Sequence, residues 1–157
     1  MTFTLTSNDI ADGGGLPDAQ VQAKGNTSPH LKWSGAPEGT KSFAVTCYDP
    51  DAPTGSGFWH WTVANIPADV SELATGASSG GLPKGAVEGR TDYGEPGFGG
   101  AAPPPGHGPH RYIFTVFAVD VDNLPVTPED SGAKYGFNLH FHTLARASIT
   151  ATYENKG

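Results

Sequence analysis

The chain has 157 residues, a formal net charge of −7, and only 9 Lys and Arg, which are scattered. That charge pattern excludes a nucleic-acid-binding face and electrostatic docking on an anionic membrane. The single cysteine, Cys47, excludes an intrachain disulfide and suits a reducing compartment.

The length predicts one domain over residues 1–157 with a real core. Abundant Gly (22) and Pro (14), with aromatics spread throughout, predict a loop-rich β protein rather than disorder. Met1–Ser7 lacks a basic region followed by an apolar one, so no signal peptide is expected and a cytoplasmic location is. No apolar run is long enough to span a bilayer, so membrane insertion is not expected.

In chain order, Phe3 and Leu5 alternate with threonines, as in a short edge strand. Leu31-Lys32-Trp33 alternates likewise before turn residues. Residues 42–48 form a stronger strand, with Phe43, Val45 and Cys47 on one face and Ala44, Thr46 and Tyr48 on the other. A Pro-rich loop leads to the strand Phe58-Trp59-His60-Trp61-Thr62-Val63-Ala64-Asn65-Ile66. Residues 67–108 are mostly Gly, Pro, Ser and Ala, with a short strand expected within 87–93. So long a stretch points to function. Residues 111–121 are apolar on both faces and predict a strand near the middle of a sheet. Thr127-Pro128-Glu129-Asp130 reads as a helix start. Gly132 and Gly136 argue for a break, then a helix over residues 135–146 with Phe137, Phe141, Leu144 and Ala145 on its apolar face. Residues 148–153 return to strand.

Three stretches carry chemistry. Asp49-Pro50-Asp51-Ala52-Pro53 places two carboxylates at a strand end; alone it reads as an Asx-type turn. His60 sits between Trp59 and Trp61; alone it reads as a packed histidine bonded to backbone. Pro103-Pro104-Pro105-Gly106-His107-Gly108-Pro109-His110-Arg111-Tyr112 delivers two histidines, an arginine and a tyrosine to a strand; alone it reads as a hairpin connection. His110 and Tyr112 share a face, and Arg111 points to the other, as a structural residue paired with an Asp or Glu. Convergence of Asp49, His60, His110 and Tyr112 needs only adjacent or next-adjacent strands.

In register, these stretches resemble the phosphatidylethanolamine-binding protein family, also called Raf kinase inhibitor-like proteins, in its small prokaryotic branch. Ser28-Pro29-His30-Leu31-Lys32-Trp33 and the C-terminal helix and strand extend the resemblance over nearly the whole chain. It implies a mainly β fold, an antiparallel β-sandwich with a few short peripheral helices, and a shallow anion pocket at one end of the main sheet. It assigns Asp49, His60, His110 and Tyr112 to that pocket, with a backbone amide cradle at Gly100. Asp51, Pro53, Trp59, Pro104, His107 and Gly108 fall on its rim or support it. The chain departs from many prokaryotic relatives at Ala101-Ala102, where they carry Pro-Cys, so no thiol acts there.

Imidazolium groups, a phenol and free amides are donors suited to phosphate or carboxylate oxygens. Asp49 then serves to orient a histidine or tyrosine and to favour the charged imidazole. The leading expectation is a binding protein for a small anion or phosphorylated headgroup, regulating a kinase, protease or other partner. A homodimer is expected through Phe58, Trp59 and Phe98. Two alternatives stand: a hydrolase-type enzyme using the Asp/His/His/Tyr pocket, and an inhibitor-type interaction module using residues 54–58 and 76–85. The enzyme reading lacks a nucleophile, since there is no Gly-x-Ser-x-Gly elbow and Cys47 lies within a strand. No cofactor or metal is expected. His140 and His142 diverge on a helix, and although Asp49, His60 and His110 are zinc-compatible residue types, the resemblance implies anion binding.

Overall fold

Alternating apolar positions in the strand after Lys41 build the centre of the fold. In the computed structural model, which describes residues 2–157, Ser42–Asp49 (β3) is flanked by Phe58–Pro67 (β4) and His110–Val119 (β7). Val87–Glu88 (β6) and Thr143–Tyr153 (β8) complete a five-stranded antiparallel sheet in the order β6-β4-β3-β7-β8. Thr4–Thr6 (β1), Leu31–Ser34 (β2) and Glu72–Leu73 (β5) form a smaller antiparallel sheet in the order β1-β2-β5. Met1, the first residue of the segment searched for a signal peptide, lies outside the described residues.

Leu5, Leu31 and Trp33 from the small sheet pack against Val45, Cys47, Trp61, Tyr112, Phe114 and Val116 from the large one. Each large apolar side chain buried in this way contributes roughly 1.5–3 kcal/mol. The opposite face of the large sheet carries Ala44, Ala64, Phe117 and Val119, covered by Tyr135 and Leu139 of the helix Gly132–His142 (α1). The result is the expected β-sandwich. Its only other helical element among the described residues is a single 3₁₀ turn at Asp18–Gln20.

The C-terminal region corrects the sequence reading. Gly132 and Gly136 do not break the helix. A Cβ at Gly132 would lie 2.2 Å from Trp59 Cγ, so glycine lets the helix settle directly on the indole. Thr127-Pro128-Glu129-Asp130 forms a turn, with the Thr127 amide donating to Asp130 Oδ2 at 2.8 Å, and Ser131 caps the helix through the Lys134 amide. The strand begins at Thr143 rather than Ser148. The helix buries Tyr135 and Leu139, while Phe137 and Phe141 are 66% and 63% exposed, so the expected apolar face points to solvent.

The strand ends are held by polar contacts. Two residues of β4, Ala64 and Asn65, face Ala44 alone on β3, and Asn65 adopts φ 62°. Its side chain clasps Leu124, accepting from the amide at 2.7 Å and donating to the carbonyl at 3.4 Å.

Candidate functional site

β3, β4 and β7 are neighbours, and at one end of the sheet their inward faces converge. β3 ends in Asp49, which is buried. The β3–β7 register pairs Tyr48 with Ile113, so the next step sets Asp49 beside Tyr112. β7 begins with His110, and the two-residue period of a strand keeps His110 and Tyr112 on one face.

β4 reaches this face through a bulge. Cys47 pairs with Trp61 but Tyr48 pairs with Trp59, leaving His60 as an extra residue. Regular pairing would put His60 opposite Tyr48, on the helix side of the sheet. The bulge turns it onto the face shared by Asp49 and Tyr112, a common use of bulges beside sites. Its ring lies 4.7 Å from Phe58 and 5.2 Å from Tyr112 between centroids.

The walls enclose a half-open cavity of about 230 Å³. Asp49, His60, His110 and Tyr112 line it with Ala52, Pro53, Thr54, Phe58, Tyr93, Ala102, Pro103 and Pro104. The four residues assigned from sequence therefore meet, together with the rim residues Pro53 and Pro104. Tyr93 is the addition that sequence reading missed; its hydroxyl donates to the Gly100 carbonyl at 2.7 Å, and burial raises its pKa to about 12.

Several assigned residues take other places. Gly100 does not line the cavity. Its amide donates to Asn26 Oδ1 at 2.8 Å, and the Gly99 amide donates to the His60 carbonyl at 2.9 Å, so no amide cradle is open there. Trp59 sits on the far face of the sheet, its ring tilted against Tyr48 at 4.5 Å between centroids and beneath Gly132. Phe58 lines the cavity and Phe98 packs edge-on against Trp61 at 5.6 Å, and Phe58, Trp59 and Phe98, the three expected dimer aromatics, are each partly exposed. Asp51 forks with Arg111 at 2.9 and 3.0 Å outside the cavity, and this pairing pulls the Asp51 pKa down to about 2. Arg111 thus points away from the cavity, as the strand period requires. Gly108 lies in the loop at φ 89° and does not line the cavity.

The polar atoms divide into engaged and open groups. Asp49 Oδ1 accepts from the Asp51 amide and Oδ2 contacts His110 Nδ1, both at 2.7 Å. His110 Nε2 meets Nδ1 of the exposed His107 at 2.6 Å, so both nitrogens of His110 are engaged. His60 Nδ1 lies 2.8 Å from the Gly99 carbonyl, which can only accept, so this nitrogen carries the proton. Among the described residues His60 Nε2 and the Tyr112 hydroxyl make no hydrogen bond to protein, and neither is one of the atoms sealed from solvent without a partner, which are Gln20 Oε1, Trp33 Nε1 and Thr62 Oγ1. Burial holds the His60 pKa below the usual histidine value, against the expectation of an imidazolium there. Burial, with Asp49 nearby, raises the Tyr112 phenol well above its usual range, keeping it a donor. Among the described residues, no group of three or more His, Cys, Asp or Glu is arranged to hold a metal ion.

Residues 6–154 match the family described as phosphatidylethanolamine-binding protein. The UPF0098 protein YbhB of Escherichia coli is 55% identical over 156 residues, spanning 95% of this chain and 98% of that protein. The chain belongs to the phosphatidylethanolamine-binding protein family. The crystal structure of Escherichia coli YbcL, described as a new member of the mammalian family, superposes with TM-score 0.95 at 54% identity, covering 97% of this chain and 98% of that one. A carboxypeptidase Y inhibitor complexed with its cognate proteinase shares the family fold at TM-score 0.60 and 20% identity, over 98% of this chain and 84% of that one. No described helix is long and apolar enough to cross a membrane.

Proposed function

We propose that this family member is a cytoplasmic binding module whose cavity takes the oxygen atoms of a small phosphorylated or carboxylate ligand, and that occupancy regulates a protein partner. The observation that carries this reading is the pair of open polar atoms, His60 Nε2 and the Tyr112 hydroxyl, on the wall of a half-open cavity whose other polar groups are engaged. Unpartnered polar atoms at a buried site gain most from a ligand that satisfies them. The enzyme alternative still lacks a nucleophile. Burial pushes the Cys47 thiol pKa up, and the Thr54 hydroxyl donates to the Gly57 carbonyl. A homodimer would use the partly exposed Phe58, Trp59 and Phe98 or the more exposed Phe137 and Phe141; light scattering that shows only monomer at high micromolar concentration removes it.

Calorimetric titration with phosphoethanolamine, inorganic phosphate and acetate tests the pocket. His60→Ala and Tyr112→Phe are each expected to weaken binding about tenfold, from loss of a hydrogen bond to a charged group. His142→Ala, on the surface beside Asp120, is expected to leave binding unchanged. Affinity is expected to fall as pH rises, because either the ligand or the site must supply a proton to His60 Nε2. Equal affinities across the variants, or affinity that climbs with pH, would return His60 to a purely structural role.

A further inference from the structure

The helix side of the large sheet carries a second opening, away from the strand-end cavity and built from different chemistry. The register places Thr46 of β3 between Thr62 of β4 and Thr115 of β7, with Ser148 of β8 beyond, so a row of hydroxyls crosses this face. Thr62 is sealed from solvent, and Thr115 and Ser148 bond each other at 2.8 Å. Thr46 differs. It is only 4% exposed and makes no side-chain hydrogen bond to protein among the described residues, yet its hydroxyl is not sealed. It lines a groove of about 260 Å³ with Trp59 and Phe117 of the sheet, Gly136 and His140 of α1, and Arg146 of β8.

Arg146 brings an uncommitted charge to this groove. Its Cζ lies 5.0 Å from the Phe117 ring centroid, a cation–π contact that positions the guanidinium and leaves its N–H groups free. Lys24, Arg111 and Lys134 each meet an Asp, whereas Arg146 makes no ion pair among the described residues. The chain has 16 acidic residues against 9 Lys and Arg, and still no Asp or Glu lines the groove. Gly136 keeps the groove open. Its backbone is ordinary helix, and a Cβ there would make only van der Waals contact with Trp59, at 3.8 and 3.9 Å from Cη2 and Cζ2. Packing therefore does not demand glycine here as it does at Gly132, and glycine is a poor helix former. What the missing side chain preserves is the space beside the benzo edge of the indole.

We propose that this groove is a second binding site, independent of the strand-end cavity, for a small aromatic carboxylate that carries a hydroxyl on its ring. The exposed Arg146 fork takes the carboxylate, as guanidinium groups do. The ring lies beside Trp59 in the space left by Gly136. The ring hydroxyl meets Thr46 at the buried end, where an unmatched polar group gains most from a partner.

The test is a two-dimensional NMR titration of the isotope-labelled full chain with para-hydroxyphenylacetate. The amides of Gly136, His140 and Arg146 and the Trp59 indole N–H are expected to shift. The uncharged para-hydroxyphenylacetamide is expected to bind at least about tenfold more weakly, the scale of a hydrogen bond to a charged group, and Arg146→Gln is expected to remove that difference. Phenylacetate is expected to bind more weakly than its hydroxylated form to wild type and equally to Thr46→Val. Gly136→Ala is expected to raise the melting temperature, alanine being the better helix former, while weakening binding; Gly136→Leu should fill the groove and abolish it. Shifts confined to Asp49, His60, His110 and Tyr112 would put the ligand in the strand-end cavity and overturn the second site, as would no shift at all or wild-type affinity in Gly136→Ala. Equal affinity for acid and amide overturns the role of Arg146, and a hydroxyl preference that survives in Thr46→Val overturns that of Thr46.

Discussion

Strand β4 is interrupted twice, and the two interruptions differ in what they leave open. At Asn65 the extra backbone bends the strand, and both ends of the side chain are taken up by the Leu124 peptide. At His60 the extra residue is equally buried, but only Nδ1 is bonded, to the Gly99 carbonyl. A third buried histidine, His30, resembles Asn65. Its Nδ1 accepts from the Asn8 amide at 2.9 Å and its Nε2 lies 2.6 Å from Glu72. Fully bonded buried polar groups hold a fold together. A half-bonded one on a cavity wall is poised for a ligand.

The sharpest way to break that contrast is to truncate each bulge residue. Asn65→Ala orphans both polar groups of Leu124 and leaves alanine at a positive φ, so urea unfolding should show a loss of about 3 kcal/mol. Phosphoethanolamine binding by the folded variant should be unchanged. His60→Ala should cost about 1–2 kcal/mol, chiefly by orphaning the Gly99 carbonyl, yet reduce binding about tenfold. A variant pair in which stability and binding fall together at both sites would erase the distinction.

A smaller effect comes from titration. The folded His60 pKa is depressed by burial, whereas the unfolded value is about 6.5. As pH falls through the unfolded value, the unfolded chain takes up a proton that the native ring refuses, so stability drops. Urea unfolding at about pH 7.5 and 5.5 should therefore show a larger loss on acidification for wild type than for His60→Gln, while Asn65 variants follow wild type. The smallest effect belongs to the exposed fork between Asp51 and Arg111. With Asp51 held at about 2, its contribution is present above the ordinary carboxylate range and disappears only as pH falls through about 2. Because the pair is solvent-screened, Arg111→Ala should leave the urea midpoint unresolved from wild type at neutral pH.

The convergence of Asp49, His110 and Tyr112 was legible because it follows from strand alternation and from motifs at strand ends. The placement of His60 was legible as a residue but not as geometry, since one extra residue in a register leaves no mark in composition. Gly132 and Gly136 misled because helix propensity treats glycine as a fault, whereas at Gly132 the missing side chain is the space for Trp59, and the helix runs on through Gly136, where a Cβ would make only ordinary contact with the indole. The Phe137 and Phe141 spacing was genuinely helical, but periodicity cannot say which side the sheet lies on. Gly100 looked available because its partner, Asn26, is 74 residues away. Tyr93 stood in a Gly-rich loop with no motif around it, so nothing local marked it as a cavity wall.

The loop that carries His107 is not fastened only to the pocket. The Gly106 amide donates to the Asn155 carbonyl at 2.9 Å, just beyond the end of β8. A purification tag or fusion partner joined after Gly157 would therefore begin two residues beyond the carbonyl that steadies the loop of His107. Proteins prepared with tags at opposite ends could report different ligand preferences with no change in the binding residues themselves. Placement of the tag belongs among the variables of any binding assay on this protein.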